Sequence, residues 1–230
     1  MSAEAHRQPK VAVIMPAFRE EAHIGAVVRG VKAEGWDAVV VDDGSDDRTA
    51  ELAGAAGAVV LRQDRNQGKG LALNRGFEYA RSREYEAAVT LDADGQHRPE
   101  EIRRFVDEYV ATGIPVLVGT RMADTKTMPL IRRWTNRFMS WWLSRQMGQR
   151  VPDTQCGFRL YRLDAIPPLE AGSERFAAES EILLLIARRG ARIGSVPIST
   201  VYGNERSKVN PLSDTIRFFR MLRRLRKGKA

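Results

Sequence analysis

The sequence predicts an α/β fold in which a mostly parallel central sheet is flanked by helices on both faces. Short apolar runs of strand length alternate with longer segments whose apolar residues recur at helical spacing. This alternation implies right-handed βαβ units, which build a parallel sheet. Acidic residues follow several of the apolar runs, at the carboxyl edge where such sheets bind ligands.

The first half of the chain contains five predicted strands with helices between them. The strands are predicted over residues 11–15, 38–42, 59–61, 87–91 and 116–118. The helices are predicted over 20–32, from a cap at Ser45 or Asp46 to Ala55, over 70–81, and from Pro99 to about Ala111. We expect Pro16 to end the first strand.

The second half has a different pattern. A long amphipathic helix over 130–147 is followed by a strand over 158–162, a helix over 178–188, a strand over 192–196 and a final basic helix. The long helix carries aromatic residues that can lie at a membrane headgroup boundary: Trp134, Phe138, Trp141 and Trp142. Core packing is the alternative for this stripe.

Composition limits the classes of protein to consider. With 230 residues, of which 43% are apolar, the chain can form one large domain around a single core. Cys156 is the one cysteine, so no intramolecular disulfide can form. No apolar run is long enough to span a bilayer, and the first residues lack the core of a signal peptide, so we expect a cytoplasmic location. The oligomeric state is left open.

The formal net charge of +8 is concentrated towards the C-terminus. A basic surplus of this kind suits an anionic surface, a lipid or a polyphosphate. The tail over 211–230 could therefore form a basic amphipathic helix on anionic lipid, with a solvated charge run or an oligomer contact as the alternatives.

The segment Thr-Leu-Asp-Ala-Asp-Gly-Gln-His over 90–97 is the most informative motif. Asp92, Asp94 and Gln96 stand at alternate positions directly after an apolar strand. Two carboxylates and an amide oxygen at this spacing can face one cation that also takes phosphate oxygens and water, as Mg²⁺ or Mn²⁺ prefers. An acidic surface turn is the alternative.

Three further motifs each follow a predicted strand. Asp42 and Asp43 can accept hydrogen bonds from a base or ribose, although a capped turn would also explain them. Glu20 or Glu21 can reach a ribose hydroxyl, although acids are favoured at helix N-termini in any case. Lys69, between two glycines at a helix start, is a candidate for binding a base or phosphate.

The four ordered motifs resemble those of the family 2 glycosyltransferases, which have the nucleotide-diphospho-sugar transferase fold called GT-A. The resemblance covers residues 10 to about 208. It implies that the nucleotide is held by Pro16, Ala17, Glu20, Asp42 and Asp43. It also implies that Mg²⁺ or Mn²⁺ is bound by Asp92, Asp94 and Gln96.

Motifs in the second half resemble those of the polyprenyl-phosphate sugar synthases, the dolichyl-phosphate mannose synthase group. They lie at residues 119–121, 153–159, 176–182, 196–198 and 202–208. The resemblance implies inverting transfer of a hexose from a GDP- or UDP-sugar to a polyprenyl phosphate, at the inner face of the cell membrane. An acceptor phosphate is already an anionic nucleophile near neutral pH and mainly needs countercharge.

The implied roles in the second half fall on a few polar residues. Asp153 is the implied acceptor-side aspartate, with Gln155 and Glu179 as second choices. Candidates to hold the acceptor phosphate and the diphosphate are Arg121, Arg206, Lys208 and one of Arg132 or Arg133. We predict Asp94, Arg121 and Asp153 as the catalytic residues.

The resemblance also predicts a division of the chain. Residues 1–9 would be a flexible N-terminus, 10–119 the nucleotide-sugar-binding half, 120–210 the acceptor-binding half and 211–230 the basic tail. Two other functions are possible on the sequence alone. One is the same donor chemistry with a polysaccharide, lipid or protein acceptor. The other is a non-catalytic nucleic-acid-binding module, which would leave the two aspartates of the acidic motif unexplained.

Overall fold

One sheet of seven strands organises the computed structural model, which describes residues 8–121, 130–167 and 178–199, without the side chains of 130–132 and 178. The strands are β1 (Val11–Ala17), β2 (Asp37–Asp42), β3 (Val59–Arg62), β4 (Ala87–Thr90), β5 (Val116–Thr120), β6 (Arg159–Arg162) and β7 (Ile193–Pro197). Their order is β3-β2-β1-β4-β6-β5-β7. Every neighbouring pair is parallel except those of β6, which runs antiparallel to β4 and β5. The predicted mostly parallel sheet is confirmed.

Six α-helices lie in the described part of the chain and flank this sheet. They are α1 (Ile24–Ala33), α2 (Thr49–Ala55), α3 (Lys69–Ser82), α4 (Ile102–Thr112), α5 (Leu130–Met147) and α6 (Ala178–Arg188). The predicted C-terminal ends of α5 and α6, at Met147 and Arg188, are confirmed. None of these helices is long and apolar enough to cross a membrane. The predicted basic tail and most of the flexible N-terminus lie outside the described residues, and the division into two halves stays a prediction.

Pro16 does not end β1, contrary to the sequence prediction. The strand continues to Ala17, and Pro16 is registered with Val41 of β2. The Ala17 carbonyl accepts a hydrogen bond from the Asp43 N–H on the β2 side of β1. Because successive residues of a strand direct their backbone groups to opposite sides, a backbone N–H at position 16 would face β4, and proline has none. The β1–β4 register ends at Ile14. Proline therefore ends pairing on one side of β1 only.

The predicted starts of α1 and α2 were wrong for a common reason. The chain before α1 is tied to the loop before α2, because Arg19 donates its backbone N–H to Ser45 Oγ (2.9 Å) and Glu20 donates its own to Thr49 Oγ1 (2.8 Å). Arg19 also has a φ of 55°, outside the helical region. Ser45 is therefore occupied and does not cap α2. Asp47 instead accepts the Thr49 N–H at 3.0 Å.

Strand direction decides what reaches the carboxyl edge of the sheet. The parallel strands β1, β2, β4 and β5 all end at that edge. Because β6 is antiparallel to β4, it starts at the same edge, so the loop over 153–158 arrives there as well. The sequence prediction did not include this reversal.

Gly76 lets α3 approach the sheet closely. A Cβ on Gly76 would overlap Cγ2 of Ile14 and lie 3.3 Å from Cγ2 of Val41. Both are fully buried core residues. A side chain at this position would push α3 away from β1 and β2.

We predict that Gly76→Ala lowers the free energy of unfolding by about 1–3 kcal/mol through overpacking. Gly54→Ala in α2 is the matched control, because its Cβ would lie 3.8 Å from Val60 Cγ2, an ordinary contact. That control should instead gain up to about 1 kcal/mol of helix propensity. Urea denaturation measures both, and equal losses in the two variants would contradict the packing argument.

Candidate active site

The residues predicted from separate motifs meet at the carboxyl edge of the sheet. Asp42 ends β2, Asp92 follows β4 after one residue, and Arg121 follows β5 directly. From the β6 side, a Cβ on Gly157 would lie 2.5 Å from Asp92 Oδ2, and Thr90 Oγ1 donates to the Gly157 carbonyl at 2.8 Å. The loop of the predicted acceptor side therefore packs directly against the acidic motif.

Asp92 is bound by a lysine. Lys69 Nζ donates to Asp92 Oδ1 at 2.5 Å, and His97 Nε2 lies 3.7 Å from the other oxygen. Burial alone would raise the pKa of Asp92, but the Lys69 ammonium and His97 outweigh it and hold the pKa well below the usual range. Likewise burial would lower the pKa of Lys69, but Asp92 and Glu179 raise it. Both groups are therefore charged at neutral pH.

Among the described residues, Asp94 has no cationic partner of this kind. Its one hydrogen bond within the described residues comes from the backbone N–H of Gln96, at 3.0 Å to Oδ1. Burial, and next the charge of Asp92, raise the pKa of Asp94. Within the described residues, the acidic motif therefore holds one neutralised carboxylate, Asp92, and one without a paired cation, Asp94.

The donor set fits a divalent cation that is shared with a substrate. Within residues 8–121, 130–167 and 178–199, no three His, Cys, Asp or Glu side chains group together as a metal cage. Mg²⁺ is commonly held by only one or two carboxylates together with substrate phosphates and water. Asp94 has the open carboxylate for this, and Asp92 fits once Lys69 is displaced. Gln96 supplies only its backbone N–H here, so its role as a ligand stays a prediction.

Asp42 and Asp43 differ in whether a carboxylate oxygen remains available to a ligand. Asp42 Oδ1 accepts the Ser45 N–H at 3.0 Å, while Oδ2 lies 3.4 Å from Arg62 Nε as an ion pair but accepts no hydrogen bond from a described residue. Asp42 is fully buried. An unused buried acceptor at a ligand-binding edge suits a ligand N–H or O–H.

Asp43 uses both carboxylate oxygens within the protein. Oδ1 accepts Gln67 N (2.6 Å) and Gln63 Nε2 (3.0 Å), and Oδ2 accepts Gly68 N (2.8 Å). Asp43 therefore holds the loop that precedes Lys69 and α3. The sequence motif predicted a nucleotide contact at this position, and the geometry adds a positioning task.

Arg121 and Asp153 are joined in a buried bidentate ion pair. Arg121 Nε and Nη2 donate to the Asp153 carboxylate at 2.8 and 2.9 Å. Both side chains are almost completely buried. The contact brings two of the predicted catalytic residues together, but each neutralises the other, and their catalytic roles stay predictions.

Two residues that the sequence prediction undervalued hold this region together. Arg159, buried completely, donates to the carbonyls of Thr154 (2.8 Å) and Cys156 (2.6 Å). Glu179 lies 3.0 Å from Lys69 Nζ through Oε1. Arg159 is the last residue of the motif over 153–159, but the sequence alone does not show that its side chain is buried. Burial raises the pKa of the Cys156 thiol to about 12, in keeping with a packed residue.

Some predicted site residues cannot be placed. Arg206 and Lys208 lie outside the described residues, as does the side chain of Arg132. Arg133 is half-buried. The predicted phosphate-binding role of these basic residues therefore stays a prediction.

The aromatic stripe of α5 divides into two parts. Trp134, Phe138 and Trp141 are 73%, 52% and 60% exposed. Trp142 is partly buried and packs against the core. Core packing is therefore wrong for three of the four residues, and they form an exposed aromatic surface on α5.

An α/β sheet with acidic residues at its carboxyl edge places the chain in the class of open α/β folds, which bind ligands at that edge. Residues 12–167 match the family model described as Glycosyl transferase family 2, over about two thirds of the chain. The chain belongs to this family and is a glycosyltransferase. The non-catalytic alternative is therefore wrong.

Relatives of similar length support the assignment. An uncharacterized protein of Methanocaldococcus jannaschii is 35% identical, over 84% of this chain and 82% of its own. A dolichyl-phosphate hexose transferase of Haloferax volcanii is 32% identical over 88% of each chain. A UDP-N-acetylglucosamine–dolichyl-phosphate N-acetylglucosaminyltransferase of Methanococcus voltae is 29% identical over 83% of this chain and 85% of its own.

A solved structure shows the same fold. Glucosyl-3-phosphoglycerate synthase from Mycobacterium tuberculosis, crystallised with Mn²⁺, UDP and glucosyl-3-phosphoglycerate, superposes with a TM-score of 0.67 at 21% identity, covering 86% of this chain and 73% of its own. The predicted GT-A fold is confirmed.

We predict that Asp43→Asn lowers the free energy of unfolding by about 1–3 kcal/mol. The new amide would place an N–H against the Gly68 N–H and leave a buried donor without an acceptor. Asp64→Asn, at an exposed position of the same loop, is the control and should have little effect. Chemical denaturation compares the two, and an unchanged midpoint in Asp43→Asn would refute the positioning task.

Proposed function

We propose that this glycosyltransferase is a metal-dependent inverting enzyme that moves a hexose from a GDP- or UDP-sugar to a polyprenyl phosphate at the cytoplasmic face of the membrane. The observation that carries the proposal is Asp94, a partly buried carboxylate that has no cationic partner among the described residues and lies beside the Lys69–Asp92 pair. The Haloferax and Methanococcus relatives, named for dolichyl-phosphate acceptors, support the choice of acceptor.

The donor nucleotide would lie along the ends of β1 and β2. Asp42 Oδ2, which accepts no hydrogen bond from a described residue, would take one from the base or ribose. Pro16, Ala17 and Glu20 line the neighbouring strand end. Asp43 would act by holding the loop that presents Lys69.

The diphosphate would lie between Lys69 and the acidic motif. Asp94, and Asp92 once its oxygen is released, would hold the Mg²⁺ or Mn²⁺ ion with phosphate oxygens as further ligands. When bound, the ion neutralises the charge that develops on the leaving nucleoside diphosphate. Lys69 would bind the diphosphate oxygens directly as a second positive charge.

The acceptor phosphate would enter from the side of the loop over 153–158. As an anionic nucleophile it would attack the anomeric carbon opposite the leaving diphosphate, which inverts the configuration. Arg121 and Asp153 would orient it as a pair, since a lone buried charge of either sign would be costly. Arg206 and Lys208 are further proposed contacts for this phosphate.

The exposed aromatic surface on α5 would rest on the bilayer that contains the acceptor. Tryptophan and phenylalanine suit the headgroup boundary, and Arg137 and Arg145, exposed on the same helix, can contact anionic lipids. A peripheral position of this kind gives the site access to a membrane-bound phosphate without a spanning segment in the described helices.

We predict that Asp94→Asn lowers metal-dependent hexose transfer at least about 100-fold, because the cation loses its open carboxylate. Transfer is measured from GDP- and UDP-sugars to a short polyprenyl phosphate and, in parallel, to a soluble sugar. Asp107→Asn, in an exposed ion pair on α4, is the control and should retain transfer. Transfer to the soluble sugar alone would refute the proposed acceptor, and full activity of Asp94→Asn would refute the site.

We predict that the double variant Trp134→Ala and Trp141→Ala binds phosphatidylglycerol-containing vesicles at least about tenfold more weakly, because binding scales with the apolar area that enters the interface. The control removes exposed apolar side chains elsewhere, in Val59→Ala with Val110→Ala. Vesicle cosedimentation measures both. Equal binding by the two double variants would show that the surface on α5 does not contact lipid.

A further inference from the structure

A row of charged side chains begins at Asp92 of the acidic motif and continues through Lys69 and Glu179 to Arg159. Lys69 Nζ lies 2.5 Å from Asp92 Oδ1 and 3.0 Å from Glu179 Oε1. Arg159 Nη2 lies 3.8 Å from the other oxygen of Glu179. These four residues come from α3, the end of β4, α6 and β6, so the row joins parts of the chain that are distant in sequence.

The two contacts of Lys69 are unequal. Its contact with Asp92 is a hydrogen bond. Its contact with Glu179 is an ion pair without hydrogen-bond geometry, and the buried Oε1 of Glu179 accepts no hydrogen bond from any described residue. Glu179 is therefore a second, incompletely used acceptor for the same ammonium group. A small movement of Lys69 Nζ would form a hydrogen bond to Glu179 Oε1.

The backbone of Glu179 is held by Arg159. Arg159 Nη1 donates to the Glu179 backbone carbonyl at 2.8 Å and to Tyr161 Oη at 3.0 Å. The Arg159 side chain is fully buried and has its other hydrogen bonds to the loop over 153–158. The backbone that carries the second acceptor for Lys69 is therefore tied to β6.

We propose that Lys69 occupies Asp92 while no donor is bound, and moves to Glu179 and the donor diphosphate when the metal ion binds. Glu179 is the positioning residue of this exchange. The ammonium and a divalent cation repel each other and compete for Asp92, whereas the diphosphate attracts both. Metal and donor then bind tightly only together. The inference rests on the proposed metal site.

This arrangement has a thermodynamic consequence. If the nucleotide raises the affinity for the metal by some factor, the metal raises the affinity for the nucleotide by the same factor. Lys69 contributes to that factor by weakening metal binding in the absence of nucleotide. Removal of its charge should therefore strengthen metal binding alone and reduce the coupling.

The test measures Mn²⁺ binding by electron paramagnetic resonance, with and without GDP or UDP. Lys69→Met should bind Mn²⁺ alone at least about tenfold more tightly than the natural protein, because the competing charge is gone. Lys69→Arg keeps the charge and should bind Mn²⁺ alone as weakly as the natural protein. Unchanged or weaker Mn²⁺ binding by Lys69→Met would overturn the proposal. If Lys69→Met does not fold, Lys69→Gln replaces it under the same criterion.

A double-mutant cycle tests the role of Glu179. Glu179→Gln should weaken Mn²⁺ binding in the presence of nucleotide, since Lys69 loses its second acceptor and stays on Asp92. In the Lys69→Met background the same change should have a much smaller effect. An equal effect in both backgrounds would mean that Glu179 acts on the metal directly, and would overturn its positioning role.

Two further variants separate the inference from the proposed function. Asp94→Asn should abolish nucleotide-dependent Mn²⁺ binding, and if it does not, the proposed metal site is wrong. If Asp94→Asn abolishes binding while Lys69→Met leaves it unchanged, only the exchange is wrong. Lys32→Met removes an exposed ion pair with Asp37 at the opposite edge of the sheet and should match the natural protein.

Discussion

Carboxylates that are drawn out of water must be hydrogen-bonded or neutralised, and this requirement governs the carboxyl edge of the sheet. Parallel strands bring several acidic residues to that edge. Asp43 satisfies both oxygens with the loop before α3, and Asp92 is neutralised by Lys69. Among the described residues, Asp42 Oδ2 accepts no hydrogen bond and Asp94 has no cation paired with it. In the proposed function, the nucleotide would donate a hydrogen bond to Asp42 and the metal ion would pair with Asp94.

The antiparallel strand β6 brings the loop over 153–158 to this edge of the sheet. Because β6 starts where β4 ends, the loop over 153–158 contacts Asp92 across Gly157. Arg159 holds that loop and the start of α6 together, so the proposed acceptor side and the Lys69–Glu179 contact have one common support. A structural change on one side of the site would therefore alter the other side, which suits a reaction that requires both substrates.

The sequence predicted the elements well where periodicity was strong and less well at their ends. The C-terminal ends of α5 and α6 matched the prediction, whereas α1 and α2 began later than expected. The reason is tertiary: Arg19 and Glu20 donate to side chains of a loop that is distant in sequence. Likewise, the spacing of the aromatic residues placed them on one helix face, but only packing separated Trp142 from its exposed neighbours.

By itself, the sequence determined the α/β class, the family and the residues that stand after each strand, because apolar period and local motif order are properties of the chain alone. The tertiary structure decided how those residues are paired. It joined Asp92 to Lys69 and Arg121 to Asp153, across separations that no local pattern encodes. It also reversed β6, since strand direction follows from the path of the chain through the sheet and not from the composition of the strand.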